Sequence, residues 1–304
     1  MKQTTSHILM VRPGSFRTNE ETAVNNFFQD QTNEEKNANG LAQQEFDNTV
    51  DILRSEGIEV FVLQDSGEYD TPDSLFPNNI ISFHGDRAIL YPMFAPNRRR
   101  EHLLQPLAFL KSQGISYSEV LDYTPFVEEN LFLEGTGVLV LDRINRIAYC
   151  SLSERANEEL VHLFCKDNEY IPIIFHATQL IDNKREPVYH TNVMMALGTS
   201  FCVICLDSIL AEQEKSKVIQ ALINTNKTII TISEAQMNHF CGNILELHSI
   251  DGQPLIVMSE QAYKTFTKEQ KDQLSLFGKI VTAPIYTIER LGGGSLRCMI
   301  AEIF

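Results

Sequence analysis

Amphipathic helical stretches begin near Leu41, Arg99, Glu154, Ala211 and Gln261, so successive starts fall 58, 55, 57 and 50 residues apart. Strand-like runs precede each one, giving a recurring order of two strands and then a helix. This repetition constrains the fold more than any other feature. A unit of this length cannot bury its own apolar face, so the units must stack or close into a ring.

One unit is marked best. Residues 131–141 and 146–152 read as a hairpin around Asp142-Arg143-Ile144-Asn145, and 154–164 follows as a helix. The next has a strand at 201–206, a helix at 211–223 and a strand at 228–232, and the last has strands at 244–248 and 255–258 before the helix near Gln261. The first helix, 41–54, has one strand before it, 7–11, and its natural second partner is the C-terminal strand 299–304. The expected class is therefore α/β: a pseudo-fivefold ring of ββαβ units closed by the N- and C-terminal strands. One domain then covers residues 1–304, with an axial site where loops converge. Residues 17–40, rich in Asn, Glu and Gln, are the least core-like. They read either as a flap beside a short helix at 23–28 or as a plain surface insertion.

Composition narrows the function. With 304 residues, 43% of them hydrophobic, the chain has ample material for a core. Its net charge of -15 argues against a nucleic-acid partner, which needs a positive footprint, and the only basic cluster is Arg98-Arg99-Arg100. The N-terminal stretch has no hydrophobic signal core, and no apolar run is long enough to cross a bilayer. A cytoplasmic location, no membrane partner and reduced thiols are expected for a chain with six cysteines of this kind. Cys202-Val203-Ile204-Cys205 has redox or zinc spacing, but on a strand residues three apart point to opposite faces, and no second ligand pair accompanies it. No metal and no cofactor are expected, because the triple glycine near the C-terminus precedes a strand and not a phosphate-cradling helix.

That glycine run, Leu291-Gly292-Gly293-Gly294-Ser295-Leu296-Arg297-Cys298, sets a thiol directly after a bend where a ligand can approach the backbone closely. Cys298 reads as a reactive nucleophile or as a buried cysteine heading the C-terminal strand. With Leu133-Glu134-Gly135, His190-Thr191-Asn192 and the stretch from Phe76-Pro77-Asn78-Asn79 to Tyr91-Pro92-Met93-Phe94-Ala95-Pro96-Asn97-Arg98-Arg99, the run resembles the guanidine-modifying superfamily, which implies the pentein fold, a five-bladed β/α propeller. Arginine deiminases, dimethylarginine hydrolases, succinylarginine dihydrolases and amidinotransferases belong to it. The Phe-Pro-Asn-Asn form is most similar to the citrulline-utilisation hydrolase group, CtlX.

The resemblance implies Cys298 as nucleophile, His190 as acid and base, and Glu134 as the group that orients His190 or binds substrate N–H. A guanidinium or ureido carbon is a poor electrophile, so thiolate chemistry suits it, and the proton carrier should titrate near neutrality. Asn79, Asn192 and Arg98 are the implied substrate-binding residues. Arg98 matches by spacing the deiminase arginine that meets the substrate α-carboxylate, the alternative being an exposed arginine at a helix start. His84, His176 and His239 receive no role, although His84 is close enough to Asn79 to support it from behind. Arg297 receives none either, since on a strand it points away from Cys298.

Departures from the deiminase pattern bear on substrate. Deiminases carry carboxylates at the positions of Asn79, Asn192 and Gly137. Their absence favours a neutral ureido group, because a buried guanidinium needs carboxylate partners. The expectation is a hydrolase converting citrulline to ornithine, carbon dioxide and ammonia through a covalent thio-intermediate. Its partner is then a small amino acid, with a homo-oligomer possible. The rivals are an arginine deiminase or dihydrolase, an amidinotransferase, and a binding protein of the same fold without catalysis.

Overall fold

The computed structural model describes residues 2–30 and 35–304. Among these, five three-stranded sheets share one pattern, in which the middle strand pairs antiparallel on one side and parallel on the other. In chain order the middle strands are His7–Arg12, Arg87–Leu90, Ile147–Ser151, Phe201–Ile204 and Pro254–Ser259. A parallel pair needs a long crossover, and a helical segment supplies it in each repeat. In the first repeat Ala38–Ser55 links His7–Arg12 to Glu59–Gln64, with Ala301–Ile303 from the far end of the chain on the antiparallel side.

The helices form for ordinary reasons. Ala38, Ala42, Phe46, Thr49, Val50 and Leu53 make a buried stripe along Ala38–Ser55. Fully burying Phe46 alone contributes about 2–3 kcal/mol. Asn157 caps Glu158–Asp167 by accepting from Glu159 N and Leu160 N, and Thr267 and Gln270 form a capping box at Lys268–Leu274.

Neighbouring repeats touch through their first strands. Ala301–Ile303 packs on Ile81–His84, Val140–Asp142 on Met195–Leu197, and Met195–Leu197 on Leu245–His248. The Ala38–Ser55 helix packs on Lys279–Ala283 of the last repeat. The N-terminal stretch joins both ends of this series: Thr5 O accepts from His248 N, and Thr5 Oγ1 donates to Ile303 O. No helix among the described residues is long and apolar enough to cross a membrane.

Four local expectations change. The run 131–141 is not one strand: Leu133 makes an isolated bridge with Ala156, Gly135–Val138 is a helical turn, and the strand is Val140–Asp142. Gly135 permits this turn, with a φ of +44° and Asn78 O standing where a Cβ would collide. Cys298 sits in a 3-10 turn, Leu296–Met299, and the final strand shortens to Ala301–Ile303, so Arg297 is not on a strand. It pairs instead with Glu302, 2.8 Å away.

Residues 23–28 form turns, not a helix: Asn26 Oδ1 accepts from Phe28 N, while Asn25 and Asn26 donate to Glu154 and Gly292 far along the chain. Within 17–40, Asn19, Thr22, Asn26 and Gln29 are buried while Glu20, Val24 and Phe27 are exposed; residues 31–34 lie outside the described residues. A hairpin at Thr178–Ile181 and Lys184–Pro187 was not expected. Its two-residue turn, Asp182-Asn183, has positive φ at both positions, as the twist of a tight hairpin favours.

Candidate active site

The same tight turn leads into the first strand of each sheet. Asn79 N donates to Phe76 O, Gly137 N to Glu134 O, Asn243 N to Phe240 O and Cys298 N to Ser295 O, at 2.8 to 3.3 Å. In the fourth repeat the bond is shifted by one residue, Val193 N to His190 O. Asn79, Gly137, Asn192, Asn243 and Cys298 therefore hold equivalent positions, each followed by two apolar residues that enter the core.

These turns bring the expected residues together. Cys298 is 2% exposed, and its Sγ accepts from Asn243 Nδ2 at 3.2 Å and Asn192 Nδ2 at 3.6 Å. His190 Nε2 bonds Glu134 Oε2 at 2.6 Å, while Glu134 Oε1 accepts from Phe94 N. Cys298, His190, Asn79 and Arg98 line one small cavity with Asn26, Asp73, Phe76, Arg155, Tyr189 and the three glycines. Its volume is about 10 Å³, room for about one water.

The glycines are there because the walls leave no space. A Cβ on Gly292 or Gly294 would stand 2.9 Å from the Phe76 ring, and one on Gly293, at a φ of +62°, would stand 2.6 Å from Asn26 and Gln29. Asn26 and Gln29 donate to the carbonyls of this run, so segment 17–30 covers the thiol. Gly137 is constrained likewise: its Cβ would meet Asn79 Nδ2 at 2.3 Å and His190 Nδ1 at 2.8 Å.

Electrostatics divide the proton between two groups. Burial opposes ionisation of Glu134, but Arg155, the His190 bond and Arg98 outweigh it and hold the carboxyl well below the usual range. Burial pushes His190 down to about 4 against the pull of Glu134, so the resting imidazole is neutral. The Nε2 bond to Glu134 assigns the proton to that nitrogen and leaves the Nδ1 lone pair free. Neutrality of the free site differs from the expected titration near pH 7, and burial is the reason.

Arg98 is 2% exposed, which overturns its alternative as a solvated arginine. Its Nε and Nη2 fork both oxygens of Glu101, and Nη1 donates to Asn79 Oδ1 at 2.8 Å. The bidentate edge expected to take a substrate carboxylate is thus occupied by Glu101. His84 is turned to Ser82 and Arg143 and does not line the cavity.

Four residues escaped the sequence reading. Asp73 lines the cavity with Oδ2 bonded to Asn19 and Thr22 and a buried, unpartnered Oδ1. Arg155 reaches Glu134 at 3.5 Å and holds Thr22 O and Asn25 of the covering segment. The Tyr189 ring lies 4.5 Å from the His190 ring, tilted by 42°, and its hydroxyl donates to Gly293 O. Asn243 is the fourth, and its repeat position was a signal that could have found it.

Comparison with known proteins identifies the class: a pentein enzyme of the guanidine-modifying superfamily, a hydrolase of carbon–nitrogen bonds other than peptide bonds. The chain belongs to the family described as N,N dimethylarginine dimethylhydrolase, eukaryotic, whose model matches residues 12–304. Among solved structures it is similar to the substrate-bound N-terminal domain of ArgZ, an arginine dihydrolase from the ornithine–ammonia cycle in Cyanobacteria. The TM-score is 0.72 and the identity 18%, covering 98% of each chain. Unliganded AgrE gives a TM-score of 0.74 at 18% identity, covering 97% of this chain and 39% of that one. A dimethylarginine dimethylaminohydrolase bound to S-methyl-L-thiocitrulline gives 0.63 at 13%, covering 97% and 98%. At these identities the structures show the fold alone. No curated protein matches.

Proposed function

We propose that this protein is a cysteine hydrolase of a ureido or guanidino amino acid, with citrulline, giving ornithine, carbon dioxide and ammonia, as its first substrate. In this reading the five repeats form a five-bladed wheel, one domain closed by the chain ends, with the site on its axis. The described cysteines are all free and buried, which suits a reducing cytoplasm.

The observation that carries the substrate reading is Asn79 Nδ2, a buried donor with no partner, in the wall of the cavity that holds Cys298. An unpaired buried donor costs about 1–3 kcal/mol, and a ureido oxygen is the acceptor that would satisfy it. His190 takes the thiol proton at Nδ1 as Sγ bonds to the ureido carbon. It then returns that proton to the departing nitrogen as the C–N bond breaks, leaving a thiocarbamate. Water gives a proton to His190 and its oxygen to the thiocarbamate carbon, the C–S bond breaks, and the carbamic acid released decomposes to carbon dioxide and an amine. Asn79, Asn192 and Arg98 form the binding wall, Arg98 acting by holding Asn79.

Asp73 favours a second reading. Its unpartnered Oδ1 means that the cavity has not lost every carboxylate, and a carboxylate acceptor suits an arginine guanidinium. The neighbours named as arginine dihydrolases fit that reading. A panel of citrulline, arginine, dimethylarginine and arginine with an added amine, assayed for ornithine, citrulline and transfer product, tests both. Ornithine from citrulline is expected, and citrulline or ornithine formed from arginine in preference would give the second reading instead. Cys298→Ser should abolish turnover of the accepted substrate with the fold retained; surviving activity would remove the mechanism.

A further inference from the structure

We infer that Asn243 is a catalytic residue that stabilises the Cys298 thiolate. The inference rests on reading Cys298 as the nucleophile and adds a residue to it. Asn243 has no exposed surface, and its Nδ2 donates at once to Cys298 Sγ, 3.2 Å away, and to Asn192 O, 2.9 Å away. The second bond fixes the direction of the first. Were the carboxamide turned over, Oδ1 would face the Asn192 carbonyl, two acceptors in contact, so Nδ2 must point toward the sulfur.

Asn192 is held more loosely, its Nδ2 donating to Thr136 O at 3.4 Å. That Nδ2 is 3.6 Å and its Oδ1 3.8 Å from the same sulfur, so it can accept from the thiol or donate to the thiolate. Asn243 can only donate. A donor held in place before ionisation favours the charged sulfur, because it bonds the thiolate more strongly than the thiol and turns no acceptor toward the thiol proton. Pseudo-fivefold equivalence explains how it arrives there. Asn243 and Cys298 occupy the same turn position in consecutive repeats, and the carboxamide of one repeat lands on the nucleophile of the next. Asn243 Oδ1 stays buried without a partner, so the amide serves only the Asn192 carbonyl and the sulfur.

The test is the rate of iodoacetamide labelling at Cys298 across pH 5 to 10, mapped by mass spectrometry, with no substrate present. Asn243→Ala should move the rise in labelling to higher pH and slow labelling at pH 7 on the order of tenfold, since a hydrogen bond to a charged group is lost. Asn243→Asp keeps the shape, exchanges the donor for an acceptor and should move the rise further. Profiles that overlay the native one in either folded variant overturn the inference, as does failure of both variants to fold, which assigns Asn243 to the scaffold. If the native chain shows no preference for Cys298 over Cys202, the nucleophile reading itself is lost, a result distinct from an unmoved profile.

Discussion

His190 Nε2 and Glu134 Oε2 stand 2.6 Å apart, with side chains 2% and 0% exposed. Burial lowers His190 to about 4 in the fold, below its ordinary value near 6.5. Its neutral form is therefore the working base, and the acid limb of kcat/KM should lie well below pH 6. Stability follows the same linkage: the contribution of the neutral imidazole is whole above about 6.5 and is lost as pH falls toward 4, where only the unfolded chain binds the proton. A kcat/KM profile with its acid limb near 6.5 would show the imidazole charged in the free enzyme.

Glu134→Gln should lower kcat by about 10²–10⁴-fold, because the amide no longer fixes the proton on Nε2 and the base loses its orientation. It also leaves Arg155 and Arg98 without the carboxylate that lies 3.5 and 3.8 Å away. Breaking a buried pair costs about 3–5 kcal/mol, so urea denaturation should show a loss of that size. An active variant of native stability would place the role of Glu134 elsewhere.

The sequence carried the repeat, since two strands and a helix impose their own apolar periods, and it carried Cys298, His190 and Asn79 through motif order. Asp73 and Arg155 were not legible. Asp73 sits in an aperiodic stretch, and Arg155 lies at the start of the run 154–164 expected as a helix, which becomes helical only from Glu158. Each enters the cavity wall through residues far along the chain, Asp73 through Asn19 and Thr22, Arg155 through Thr22 and Asn25. The helix expected at 23–28 failed for a related reason. There Asn26 Nδ2 donates to Gly292 O and Gly293 O. Local pattern cannot see such a partner.

Gly293→Ala should damage both fold and turnover. The residue has a φ of +62°, and its new methyl would meet Asn26 and Gln29 at 2.6 Å. Left-handed backbone in a non-glycine residue costs about 1–2 kcal/mol, and the collision displaces the segment that covers Cys298. Thermal unfolding should shift down, and segment 17–30 should gain hydrogen exchange. Unchanged exchange there would mean that the covering segment does not depend on this glycine.

Asn79→Asp separates the two substrate readings. The substitution keeps the oxygen that accepts from Arg98 Nη1 at 2.8 Å and replaces the unpartnered Nδ2 with a second acceptor. A ureido oxygen then meets a carboxylate and is repelled, while a guanidinium N–H gains a charged partner. The ratio of kcat/KM for citrulline over arginine should fall by about tenfold or more, the worth of one such hydrogen bond. Measuring both substrates on one preparation cancels any loss of folded protein. A ratio that stays fixed, or rises, would show that Nδ2 does not meet the reacting group, and the case for citrulline built on that donor would go with it.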